Sequence, residues 1–316
     1  VNNLKIFSGN SNKTLAEKIC KHLSISLGNI YLHSFPSGES FCQIQENVRG
    51  EDVFLIQSNE YPTNEKLMEL LVMIDTAKRA SAERITVVVP SYFFYSRQDR
   101  KNKSRTPISA KLIANLITIA GANRILGMDF HSQQLGGFFD IPVDQLYSMP
   151  VFADYLHSIN LKDIVIVSPD EGATKRSSAF ASHLKCGFAF HSKKRTSDTG
   201  VASIGLIGDV KDKNVIIYDD LTESCGTLLE ASGVCKNAGA LSVRGLITHN
   251  CLTDSGKSRL SSDTSLYDLV VTNSNQEPSN VIPKLKVVDV SKVFADAIRR
   301  IHNSESISDL FEITGF

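Results

Sequence analysis

The sequence predicts an α/β fold of two doubly wound parallel-sheet domains, and three observations predict it. Apolar, β-branched runs of strand length recur between segments of helical period. These runs are continuous rather than alternating, as strands buried on both faces require. At 316 residues the chain has the length of roughly two such domains.

Taken in order, the first of these runs is DVFLIQS at 52–58. A helix over 63–80 follows, with Leu67, Leu70, Leu71 and Ile74 on one stripe behind a Thr63 or Asn64 cap. RITVVV at 84–89 is the next strand, and Pro107 is expected at the first position of a helix over 107–119. A loop-rich stretch at 129–150, with Gly136, Gly137, Pro142 and Pro150, divides the chain. Residues 1–148 form one expected domain and 149–316 the other, the tail from about 304 packing back on the first. Beyond the divide come strands at 163–168, 214–218, 242–248 and 268–272, a helix over 227–238 and a last helix from about 291.

Lys+Arg and Asp+Glu both number 34, so no global field favours nucleic acid or an acidic membrane. The six cysteines (20, 42, 186, 225, 235 and 251) form no CxxC pair, and neither a secretory apolar core nor a run of about 18 apolar residues occurs. A soluble, cytoplasmic protein without a disulfide framework or zinc site is expected. No GxGxxG follows a first strand, which argues against a dinucleotide oxidoreductase.

VIIYDDLTESCGTL at 215–228 carries the chemistry. A buried strand runs into Asp219 and Asp220, and Ser224, Cys225, Gly226 and Thr227 open the next helix. Small residues there let backbone amides wrap a phosphate, which the helix dipole favours. Two carboxylates beside such a nest can hold vicinal hydroxyls, so a phosphorylated polyol fits. The plainer reading of a bare Asp-Asp pair is a βα turn with an ordinary cap.

The stretch resembles the phosphoribosyl-binding motif of type I phosphoribosyltransferases, usually close to DDxxDTxGT. More closely, the chain is similar to the ribose-phosphate diphosphokinase family, through segments at 49–58, 64–90, 95–115, 129–144, 166–172 and 297–308, all in order. The resemblance implies two domains of phosphoribosyltransferase type and transfer of the β,γ-diphosphoryl group of Mg2+-ATP to ribose 5-phosphate. It assigns Asp170, Asp219, Asp220, Glu223, Ser224, Cys225, Gly226 and Thr227 to ribose 5-phosphate. Phe35, Ser37, Glu39, Arg97, Gln98, Asp99 and His131 fall to ATP, and His131 and Asp170 to Mg2+. Lys193, Arg195 and His131 become the catalytic set, the basic pair acting from a polar lid over 191–203. Magnesium prefers oxygen, so His131 is expected to act at least partly on phosphate. The other seven histidines read as structural or exposed.

Departures from the family pattern are Ser37, Glu223, Ser224 and Cys225. Cys225 is either a thiol tuned by the helix end and bound anion or an inert small hydrophobe. The resemblance also implies a homo-oligomer, a hexamer in the family, with phosphate and ADP as effectors. Asn47, Gly136 and Gln145 alter the matching effector positions, whereas Arg49, Asp144, Tyr147, Ser306 and Phe311 are retained. A catalytically weak regulatory subunit of such an enzyme complex is the alternative.

Overall fold

The computed structural model describes residues 2–310 apart from 93, 102, 197–200 and 279, and of 193–196, 201–204 and 309 the backbone alone. The residues divide into two compact units. One runs up to Tyr147 and adds Ser274–Gln276 and the segment from Val290, and the other is built mainly from Ser148–Asn273 and Glu277–Asp289.

The first unit holds strands β1 (Leu4–Ser8), β4 (Asp52–Ile56), β5 (Arg84–Ser91), β6 (Arg124–Met128) and β7 (Val143–Leu146), side by side in that order and all parallel. A hairpin of β2 (Ile30–Ser34) and β3 (Ser40–Ile44) stands apart as its own two-stranded sheet. All five residues of β4 are buried, so the strand needs cover on both faces. Val53 and Leu55 pack with apolar residues of α2 (Thr63–Arg79) and α3 (Ser109–Ala120). Phe54 and Ile56 point the other way by strand alternation and are equally buried. Two further helices, α1 (Lys13–Leu23) and α8 (Ser291–His302), pack against each other. Asn12 caps α1 by accepting the Leu15 N–H, and the cap on α2 departs from expectation. Pro62 occupies that position without a side-chain bond, and Pro107 lies before α3 rather than inside it.

The second unit orders its sheet β10 (Val201–Ile207), β9 (Gly187–Thr196), β8 (Ile164–Ser168), β11 (Asn214–Thr222), β12 (Ser242–Asn250), β13 (Asp268–Thr272) and β14 (Leu285–Val288). Every neighbouring pair is parallel except β9 with β10. The chain leaves β8 for β9 on one side and later enters β11 on the other, so the strand order reverses between β8 and β11. Right-handed crossovers going opposite ways put the helices on opposite faces. Met149, Phe152 and Leu156 of α4 (Met149–Ser158) and Phe180 of α5 (Thr174–Leu184) cluster with Ile166, Ile216 and Tyr218. Leu228, Ala231 and Cys235 of α6 (Gly226–Asn237) and Leu260 of α7 (Asp254–Ser262) cluster with Val165, Val167, Val215 and Ile217.

At the amino end of the first sheet, Asp52 and Arg84 are cross-strand partners. Arg84 forks onto the carboxylate, with Nε donating to Oδ1 at 2.8 Å and Nη2 to Oδ2, while Nη2 also donates to the Ile301 carbonyl at 3.1 Å. His302 Nδ1 lies 2.7 Å from the same Asp52 carboxylate. One buried carboxylate, 3% exposed, thus ties α8 to two strands. Removing it strands a guanidinium in a partly buried place. Asp52→Ala is therefore expected to lower unfolding free energy by about 3 kcal/mol, read from the urea midpoint. A wild-type midpoint would show that apolar packing alone seats α8.

Candidate functional site

In open α/β sheets, ligands bind beyond the carboxyl ends of strands where the strand order reverses. The reversal between β8 and β11 places the loops at 169–173 and 223–226 after adjacent strands at the same end of the sheet. β8 pairs with β11 only as far as Val167 with Ile217, whereas β11 continues beside β12 to Thr222. Asp219 and Asp220 therefore sit within a strand that has outrun one neighbour, rather than in the loop that the sequence implied. Their carboxylates take over local pairing: Asp219 Oδ1 accepts the Asp220 N–H at 2.8 Å, and Asp220 Oδ1 the Leu221 N–H at 2.9 Å.

Arg176, on α5, lies 3.2 Å from Asp220 Oδ2. Burial and the adjacent Asp220 charge push the Asp219 carboxyl well above its ordinary value, with Arg176 opposing them. Nothing in the sequence singles out Arg176 among the surface-like charges of TKRSS, because its role depends on α5 lying over β11.

The loop then turns through Cys225, held at φ +57°, and the first intrahelical bond of α6 runs from the Leu229 N–H to the Cys225 carbonyl at 2.9 Å. The amides of Gly226, Thr227 and Leu228 precede that bond and have no intrahelical acceptor. Ser224 is exposed, and its hydroxyl oxygen lies 3.4 Å from the Gly226 nitrogen. The Cys225 thiol is 1% exposed within the apolar cluster, and burial pushes its pKa up. That supports the inert small hydrophobe of the two readings.

Behind the loop, the Glu223 carbonyl accepts both the Thr253 N–H at 3.0 Å and the Thr253 hydroxyl at 3.2 Å. Thr253 also caps α7 by accepting the Gly256 N–H at 3.2 Å. The fit is close enough that a Cβ on Gly256 would overlap the Glu223 carbonyl oxygen.

The second loop carries Asp170. Its backbone carbonyl accepts the Ser168 hydroxyl at 2.7 Å and the Thr174 hydroxyl at 3.2 Å, and its Oδ1 accepts the Ala173 N–H at 3.1 Å. Lys193 and Arg195 lie in β9, where their backbones pair with Ile204 and Ala202. Their side chains fall outside the described residues. Paired strands on either side of 197–200 replace the polar loop expected over 191–203.

In the first unit the candidates occupy the β2–β3 turn and the loops after β5 and β6. Phe35 is 46% exposed and stands edge-on to His33 and Phe41, in an aromatic group that Tyr31 completes. Ser37 Oγ donates to Glu39 Oε2 at 2.7 Å across the turn. Arg97 is exposed. Gln98 and Asp99 do not bond each other. Gln98 Oε1 accepts the Ser109 hydroxyl at 2.7 Å and its carbonyl the Ala110 N–H at 3.2 Å, so it holds the start of α3. Asp99 Oδ2 accepts from Gln134 Nε2 at 2.7 Å. His131 follows Asp129, at φ +40°, and Phe130, whose ring packs over Gly127 where a Cβ would overlap it. Of the effector positions, Asp144 is engaged by Arg124, Gly136 lies in a 3-10 turn over Gln133–Phe138, and Phe311 falls outside the described residues.

Residues 4–121 match the family model for the N-terminal domain of ribose phosphate pyrophosphokinase, and residues 200–312 match that for a phosphoribosyl synthetase-associated domain. A ribose-phosphate pyrophosphokinase of Rhizobium meliloti is 46% identical over 312 residues, covering 98% of this chain and 100% of the relative. One from Thermotoga maritima is 45% identical, with 98% of each chain covered. The crystal structure of phosphoribosylpyrophosphate synthetase from Mycobacterium smegmatis superposes with a TM-score of 0.89 at 36% identity, over 96% of this chain and 100% of that one.

Gly256→Ala is expected to cost about 2 kcal/mol in urea unfolding, through overpacking against the Glu223 carbonyl. Wild-type stability would mean that α7 does not brace the loop. The raised Asp219 pKa means that the folded chain holds that proton more tightly than the unfolded one. The resulting penalty on folding is absent below the unfolded value, grows as pH rises towards the folded value and is constant above it. Asp219→Asn removes the penalty and keeps an acceptor for the Asp220 N–H. Its melting temperature is expected to exceed wild type at pH 8, with the gap closing near pH 4, close to the ordinary value of roughly 3.9. A gap independent of pH would refute the assignment.

Proposed function

Because the chain belongs to the ribose-phosphate pyrophosphokinase family, we propose that its two units divide the transfer of a diphosphoryl group from ATP to the C1 hydroxyl of ribose 5-phosphate. The reaction yields 5-phosphoribosyl 1-diphosphate and AMP, for nucleotide biosynthesis. The observation that carries the division of labour is the switch-point site of the second unit, where a pair of carboxylates stands beside the open amides of α6. Asp219 and Asp220 are assigned to the ribose hydroxyls, and the amides and hydroxyls of Ser224, Cys225, Gly226 and Thr227 to the 5-phosphate. Glu223 supports that loop from its backbone, through Thr253.

On the first unit, the exposed Phe35 ring offers a wall for adenine. The Glu39 carboxylate, turned by Ser37, keeps lone pairs for the exocyclic amine. Arg97 is assigned to phosphate oxygens, with Gln98 and Asp99 fixing its loop and His131 acting on phosphate. Lys193 and Arg195 are assigned to the charge that develops on the transferred group.

Among the described residues no group of three His, Cys, Asp or Glu side chains could hold a metal. Magnesium binds through one or two carboxylates plus substrate phosphates and water rather than in a protein cage. The Asp170 carboxylate would hold it, with His131 reaching the phosphates. When bound, Mg2+ neutralises phosphate oxygen charge. No described helix is long and apolar enough to cross a membrane. By its family the chain is assigned to the cytoplasm as a homo-oligomer. Phosphate and ADP are assigned as effectors, with the phosphate response weakened by Gly136. The presence of Arg97, His131, Asp170, Lys193, Arg195, Asp219 and Asp220 argues against a regulatory subunit without turnover.

Purified chain with Mg2+-ATP is expected to release AMP only when ribose 5-phosphate is present. Asp219→Ala is expected to reduce that rate by two or more orders of magnitude, as loss of an orienting contact does. AMP release independent of ribose 5-phosphate, or none despite binding of both substrates, would overturn the reading.

A further inference from the structure

His191 is fully buried on β9, two residues before Lys193. Its Nδ1 lies 3.0 Å from the Pro169 carbonyl oxygen. A carbonyl only accepts, so Nδ1 carries the proton. Nε2 is then buried as well and meets no hydrogen-bond partner among the described residues. Buried polar atoms are rarely left in this state, because desolvation opposes it. Its neighbours along the strand are Phe188, Ala189 and Phe190, and a leucine would fill the place without the orphaned nitrogen. What an aliphatic side chain cannot supply is the bond to Pro169.

That bond falls at a sensitive point. β8 and β9 run in parallel register only as far as Ser168 with Phe190. One residue further on, the ladder has ended and the chain turns into the Asp170 loop. The Asp170 carbonyl is held from within the loop by Ser168 and Thr174. The Pro169 carbonyl is held by His191, from the neighbouring strand. We propose that His191 is a positioning residue for diphosphoryl transfer: its Nδ1–H fixes the Pro169 carbonyl and so sets the Asp170 carboxylate against the strand that carries Lys193 and Arg195. The inference rests on the assignment of Asp170 to ribose 5-phosphate and metal made above.

The test compares His191→Leu, which fills the space without a donor, with His191→Asn, whose amide N–H can stand where Nδ1–H does. Ribose 5-phosphate-dependent AMP formation is measured for each, with calorimetric melting. The Leu variant is expected to raise the KM for ribose 5-phosphate roughly three- to tenfold, the range of one lost buried hydrogen bond, and to leave the KM for ATP within about twofold. The Asn variant is expected to restore most of that difference. Kinetics of His191→Leu equal to wild type, or a lowered melting temperature with unchanged kinetics, overturns the proposal in favour of packing alone. Equal impairment of Leu and Asn overturns it too. Should the Leu variant not fold, His191→Gln replaces it, since its longer amide misses the Nδ1 position; Asn and Gln behaving alike is then the refuting result. A wild-type chain without ribose 5-phosphate-dependent AMP release would instead remove the functional reading on which the proposal stands, a failure visible before any variant is made.

Discussion

The pairing of β8 with β11 ends at Ile217, and much of the second unit follows from that. Both strands are buried on both faces, so helices must cover each side, and right-handed crossovers send α5 and α6 to opposite faces. The loops after the two strands therefore diverge and leave a crevice between them. Because β11 runs on beside β12 alone, Asp219 and Asp220 reach that crevice on a rigid strand instead of a loose turn. A strand fixes carboxylates more tightly than a loop, which suits a site whose work is orientation.

The two ends of the sheets do different jobs. At the amino ends, charge pairs clamp neighbouring strands: Asp52 with Arg84, Arg124 with Asp144, and Arg244 with Asp268. The third also receives Lys286 Nζ at 2.8 Å, and Arg244 lies 4.2 Å from the centre of the Tyr267 ring. At the carboxyl ends of the second sheet, the carboxylates of Asp170, Asp219 and Asp220 accept backbone N–H groups of their own loop or strand. Asp219 illustrates the cost, since burial and the neighbouring Asp220 disfavour its charged form, with Arg176 opposing them.

The parts of the fold legible in the sequence were those with an unmixed signal. DVFLI, RITVVV, IVIVS, NVIIY and DLVVT declare buried strands, and the stripe through Leu67, Leu70 and Ile74 declares α2. α5 and α7 went unread because TKRSSAFASHL and DSGKSRLSS carry few apolar residues. Their large buried anchors are Phe180, flanked by Ala179 and Ala181, and Leu260, together with a glycine that lets α7 close on a carbonyl. β9 was hidden because its polar half, HSKKRT, reads as loop until the pairing with β10 is seen. Within the candidate site, DDLTESCGT carried the phosphate reading through its paired carboxylates, small residues and helix start. Arg176 and His191 gave no such signal, since their contacts with Asp220 and with the Pro169 carbonyl exist only once the sheet is formed. The two open readings of Cys225 were decided by burial, a quantity that spacing does not contain.

The packing of α8 on α1 reaches across nearly the whole chain. The helix that packs on α1 is among the last segments to be made, so α1 lacks that partner while residues up to 302 are still being added. The second unit, drawn mainly from an uninterrupted stretch, suffers no such delay. Synthesis from the amino end thus finishes the later unit's framework before the earlier one can close, the reverse of the usual order for two-domain chains. During that interval the face of α1 that meets α8 is the surface a holding chaperone would cover.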